Sequence, residues 1–135
     1  MAEDADGYGP RPGQSAIDRL LEDCRTLSPA GIERVAGGWD RHSNGVLREA
    51  ETQAVRALEN EGRRQEWEDL RSRLLGLTEQ DEPLVAWRFE HGPVGHKAEE
   101  ALIAAALALT AGDTLDRRHR DALLRPMAEA LPWLL

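Results

Sequence analysis

Apolar residues recur at intervals of three and four along most of this chain, the spacing that lines one face of an α-helix. Ile17, Leu20, Leu21, Cys24 and Leu27 form the first such stripe. It predicts a helix over about 16–26 with Ser15 as its N-cap. Ser28, Pro29, Ala30 and Gly31 give a second start signal, with serine capping and proline in the first helical position. Ile32, Val35, Ala36 and Trp39 continue from it, while Gly37 and Gly38 either weaken this helix or let another approach closely. The tight connection predicts that these two helices pack as a hairpin. Ser43, Asn44 and Gly45 form a stop. Val46, Leu47, Ala50, Ala54 and Leu58 resume the pattern, Gly62 interrupts it, and Trp67, Leu70, Leu74, Leu75 and Leu77 carry it on. Two helices meeting at Gly62 are favoured over one bent helix. Glu59 with Arg63 and Asp69 with Arg73 stand at (i, i+4) in the favourable order, each pair worth roughly 0.3 kcal/mol and marking an exposed face.

The second half is less regular. Leu77 to Pro83 reads as a polar break. Leu84 to Phe89 is the one stretch with strand character, but no second strand exists to pair with it, so it reads as a helical turn or an extended packing segment. His91 to Gly95, rich in glycine and proline, reads as a loop. A helix follows from about His96 to Ala111, and Ala101 to Leu109 is apolar on every side, which predicts a central buried helix ended by Gly112. Thr114 is the expected cap of the last helix, with Leu115, His119, Leu123 and Met127 on one face and Pro126 breaking or kinking it. The apolar end, Ala130 to Leu135, must dock on the core or on another subunit. Residues 1–14, dominated by glycine, proline and acids, read as a disordered acidic tail. The expectation is an all-α, single-domain bundle of five or six helices over residues 15–135.

Composition supports that reading and narrows the partners. With 135 residues the chain is long enough for one core. Only four Trp, Tyr8 and Phe89 are aromatic, so leucine and alanine, both strong helix formers, carry the interior. The formal net charge of −8 disfavours nucleic acid and favours a basic protein partner. Lys97 is the sole lysine, which fits a GC-rich genome and leaves a surface rich in forked guanidinium donors. Cys24 has no second cysteine to bond and lies on an apolar face, so it reads as a small core residue rather than a nucleophile. No secretory leader and no stretch of about 18 apolar residues is present, which predicts a cytoplasmic protein without membrane contact.

Leu27, Pro29, Ile32, Arg34, Val35, Ala36, Trp39 and Asp40 fit the pattern L-x-P-x-x-(I/L)-x-R-(L/V)-A-x-x-W-D. Leu123, Leu124, Pro126 and Met127 fit a later L-L-x-P-(W/M). In these motifs, loosely defined and spread over about two thirds of the chain, the sequence resembles a group of uncharacterised small helical proteins from GC-rich bacteria. The resemblance implies an all-α fold and transfers no function.

Candidate chemistry is sparse. His91 and His96 lie five residues apart, and Glu99 and Glu100 follow at once. With His96 in a first helical turn, His96 and Glu99 share a face, and His91 would add a third ligand for a divalent metal. His42 and His119 are further ligands if the fold brings them near. The plain alternative is that the glutamates complement a helix N-terminus and the histidines are loop groups. Gly92 to Lys97 lacks the spacing and the Ser/Thr of a phosphate loop, although its backbone amides would suit a small anion. His119, Arg120 and Asp121 copy a kinase tripeptide without any companion motif, and Arg118 to Arg120 are too few cations for a nucleic-acid footprint. Trp39, Trp67, Trp87 and Trp133 are expected as core anchors, with Trp39, Trp87 and Trp133 the candidates for a pocket or interface. The favoured function is a non-catalytic interaction or regulatory protein that recognises a protein partner, or a second copy of itself, through a helix face. The alternative is a small helical metal-binding protein or metal-dependent enzyme using His91, His96 and Glu99. A third class is small-ligand binding between helices near Trp87.

Overall fold

The computed structural model describes residues 12–42, 45–80 and 82–134. They contain no strand, and the order is α1 (Ala16–Thr26), α2 (Pro29–His42), α3 (Gly45–Asn60), α4 (Arg64–Gln80), α5 (Glu82–Ala111) and α6 (Arg117–Ala128), then a 3-10 turn at Pro132–Leu134. The all-α class stands as expected. The count among the described residues is seven helical elements against the five or six anticipated, because the proline of the terminal stretch starts one more turn. The tail expected over 1–14 and the stop at Ser43 and Asn44 fall largely outside the described residues; of the tail, Pro12 and Gly13 form a turn, and the Gln14 amide donates to Glu22 at 2.6 Å.

Local signals account for most boundaries. The Asp18 amide donates to Ser15 Oγ at 3.0 Å, and the Gly31 amide donates to Ser28 Oγ at 3.1 Å, so both expected serines cap their helices. The chain turns between α3 and α4 at Gly62, which takes a φ of 67°, so two helices meet there. The cap of α6 is Asp116 rather than Thr114: its Oδ1 accepts from the His119 amide at 2.8 Å, and the Thr114 hydroxyl instead donates back to the Ala111 carbonyl. That amide bond, foremost, holds the Asp116 carboxyl below the usual range, assisted by the neighbouring His119.

The alanine-rich part of α5 is the post around which the others pack. It meets α1, α2, α3, α4 and α6, and Ala101, Ala105, Ala106 and Ala111 are fully buried. Small side chains let five neighbours approach one helix. The hairpin expected of α1 and α2 is not the observed packing: α1 lies against α5, and α2 against α5 and α6. The apolar stripe of α1 is better covered by the post than by an amphipathic neighbour of its own length. Gly38 permits the crossing of α2 over α6, since a methyl group there would stand 2.8 Å from the Pro126 carbonyl oxygen. Pro126 does not break α6, which continues to Ala128; it sits buried in the last turn. The chain end docks as expected, with Leu131 and Leu134 buried and the Trp133 indole donating to Asp23 of α1 at 2.8 Å.

Two other expectations are corrected. The loop at His91 to Gly95 contracts to one residue. Only Gly92 leaves helical space (φ 47°, ψ −125°), and Pro93 starts the next helical turn, where its missing N–H costs nothing. Leu84 to Phe89 is helical. The pairs Glu59–Arg63 and Asp69–Arg73 are not made. Glu59 meets Arg64 at 3.1 Å, Arg73 stands 3.9 Å from Asp18, and the Asp69 carboxylate accepts from Gln65. Arg63 lies in the connection between α3 and α4, donates to the Thr110 carbonyl at 2.8 Å, and pairs with Glu61 and Glu66. Its hydrogen bond holds the Glu66 carboxyl below the usual range.

Candidate functional site

Four helices enclose an open groove of about 430 Å³. Trp39 enters from α2. Arg48, Glu51 and Val55 enter from α3, at spacings of three and four that place them on one face, with Leu47 beneath. Trp67 and Arg71 lie one turn apart on α4, and Glu100, Ile103, Ala104 and Leu107 come from α5. Leu47, Trp67, Ala104 and Leu107 are buried and form an apolar floor, and Trp39, Val55 and Ile103 are partly buried walls. Lys97 of α5 donates to Asp40 at 2.7 Å, tying α5 to α2 beside Trp39.

The charges at the rim are unevenly satisfied. Glu100 lies 3.3 Å from His96 Nε2. Among the described residues, the Glu51 carboxylate and the guanidinium groups of Arg48 and Arg71 make no hydrogen bond or close ion pair. Burial pushes the Glu51 carboxyl above the usual range, Arg48 partly offsets this, and Glu100 adds to it. The lining contains no hydroxyl, thiol or imidazole. It therefore offers shape, aromatic faces and charge, with the carboxylates of Glu51 and Glu100 as its acid–base groups.

The residues singled out in the sequence are dispersed. His91 Nδ1 donates to the Trp87 carbonyl at 2.7 Å, one turn back on the same helix. His96 turns to Glu100 rather than to Glu99, which is buried at 5% exposure. His119 faces Asp116 at 3.0 Å and Glu49 at 3.8 Å, while His42 borders a separate hollow with Arg118 and Arg125. No three His, Cys, Asp or Glu side chains among the described residues are grouped as metal ligands. Cys24 is buried in the core, as expected. Of the tryptophan candidates, Trp39 lines the groove, Trp133 is fixed by Asp23, and Trp87 is buried beside the His91 ring at 6.5 Å. Glu51, Arg48 and Arg71 were not distinguished by sequence reasoning, Trp67 was expected as a core anchor, and Glu100 was noted only beside His96 and Glu99. Each shares a helix face with its groove neighbours by spacing, but spacing within one helix does not show which faces of four helices converge.

A second feature was also missed. Phe89 is 87% exposed on the first part of α5, and Val85, one turn earlier, is 39% exposed. Glu82, Ala86 and Glu90 are exposed around them. The result is an apolar stripe with an acidic border that stays exposed among the described residues.

No protein-family model, curated protein or solved structure matches this chain. Among the described residues, no helix is long and apolar enough to cross a membrane.

Proposed function

We propose that this protein is a non-catalytic recognition protein that docks on a protein partner through the Val85–Phe89 face of α5. The observation that supports this reading is the exposure of Phe89. Scattered exposed apolar residues are ordinary. An aromatic ring almost wholly in water, one helical turn from a second apolar side chain, is the anchor spacing used when an amphipathic helix lies in a partner's groove. Burying such a ring contributes about 1.5–3 kcal/mol, enough to make it the centre of an interface. Glu82 and Glu90 beside it, and the net charge of −8, favour a partner slot with a basic rim and speed the encounter. A second copy is the other form of partner, with the two helices packed across a twofold axis.

Phe89→Ser tests this, since an exposed ring contributes little to the fold. Capture from host lysate with the wild-type protein should recover a stoichiometric partner that the variant loses. If the partner is a second copy, sedimentation should show a concentration-dependent dimer that the variant lacks. A partner or dimer retained by a folded Phe89→Ser protein would overturn the reading.

A further inference from the structure

The groove lies elsewhere on the molecule from Phe89 and is built for a different kind of ligand. Its volume of about 430 Å³ is that of a small-molecule site rather than of a packing defect. Its floor is apolar and aromatic, so the ligand has an apolar body. Its rim carries charges of both signs, Arg48 and Arg71 against Glu51 and Glu100. A simple cation would meet the two guanidinium groups, and a simple anion would meet the two carboxylates. A molecule that carries both charges at one end meets neither repulsion.

We propose that this groove binds a small zwitterion with an apolar body, of which a free α-amino acid with a bulky apolar side chain is the simplest class. Arg48 and Arg71 present forked donors that suit a carboxylate, and neither guanidinium makes a hydrogen bond or close ion pair with another described residue. Glu51 is the acceptor for the ammonium group. It is half-buried, makes no hydrogen bond or close ion pair among the described residues, and is only partly compensated by Arg48, as its raised pKa reflects. Glu100, held by His96, adds negative potential on the same side. The ligand's side chain lies over Trp67 and against Trp39 and Ile103. This reading goes beyond partner docking and stands without it, since no groove residue belongs to the Val85–Phe89 face.

The test follows the four indole N–H resonances by NMR during titration. L-leucine is compared with 3-methylbutylamine, which lacks its carboxylate, and with 4-methylpentanoate, which lacks its amine. L-phenylalanine and L-tryptophan extend the side-chain range. At least one of the three amino acids should shift the Trp39 and Trp67 signals saturably and leave Trp87 and Trp133 in place. Each single-charge analogue should bind leucine's site at least tenfold more weakly than leucine. Glu51→Gln should weaken amino-acid binding at least tenfold while leaving 4-methylpentanoate unchanged, and Arg71→Gln should weaken it while leaving the amine unchanged. Phe89→Ser should retain full amino-acid binding, which separates this result from the fate of the docking reading. Absence of a saturable shift with all three amino acids would overturn the proposal. So would an amine or an acid that binds as tightly as leucine, or a folded Glu51→Gln protein with undiminished affinity.

Discussion

The two parts of α5 are helices joined across the kink at Gly92 and have opposite surroundings. α5 as a whole meets five neighbouring helices, and the small side chains of residues 98–111 are the floor of the core. Residues 82–91 bury Trp87 and otherwise present Val85, Phe89 and two acids to solvent. The difference lies in side-chain size. Alanine on every side permits close approach from every side, whereas a stripe with one buried tryptophan satisfies packing on one face and leaves the other free. One part builds the fold, and the other carries the exposed face proposed above for partner docking.

Substitutions should separate the two parts in proportion to burial. Leu102→Ala, in the buried part, should cost about 2–5 kcal/mol in chemical denaturation, through lost transfer energy and the cavity left behind. Gly92→Ala, at the joint, should cost about 1–3 kcal/mol, because φ 47° with ψ −125° is the glycine-favoured geometry of a type II′ turn. Val85→Ala, in the exposed part, should change stability by less than about 0.5 kcal/mol. Comparable losses for Leu102→Ala and Val85→Ala would mean that the first part of α5 is packed as tightly as the second.

The smallest effect concerns Glu51 beside the buried part. Its pKa is raised on folding, so between the ordinary carboxylate value and the raised one the folded protein binds a proton that the unfolded chain releases. Stability attributable to this group is therefore lost as pH rises through that window. Glu51→Gln should raise the melting temperature at pH 7 relative to wild type, and the gap should close as pH falls below the window. Asp116 and Glu66 act in the opposite sense, since their carboxyls are lowered and their contributions are lost in acid. Comparing variant with wild type at each pH cancels them. Arg48, Arg71 and Glu100 also face the groove, and the difference curve holds their charges in common. A gap that widens toward acid would contradict the assignment.

Sequence periodicity reached the helices and much of the core because each stripe is a local property. The stripe of α1, the alanine run of α5 and the burial of Leu123 and Met127 all follow from spacing. Contacts between helices are not local, and there the reading was weaker. The hairpin of α1 and α2 gave way to packing on α5, and Arg63, in the α3–α4 connection, found the end of α5 rather than Glu59. Glycine and proline were over-read at 91–95, where a single glycine sufficed to redirect the chain. The groove escaped notice for the same reason as the hairpin failed: its lining comes from four separate helices. Phe89 escaped because Leu84 to Phe89 reads as a helical turn or an extended packing segment, and which of its side chains stay uncovered depends on the neighbouring elements.

The contact between Trp133 and Asp23 spans 110 residues. It also sets an order of events during synthesis. The apolar stripe of α1 is made before both segments that cover it, α5 and the turn at Pro132–Leu134. Until then α1 remains an unpartnered amphipathic helix, a surface that other nascent chains and chaperones can engage. Closure over α1 therefore waits on a residue 110 positions further along the chain.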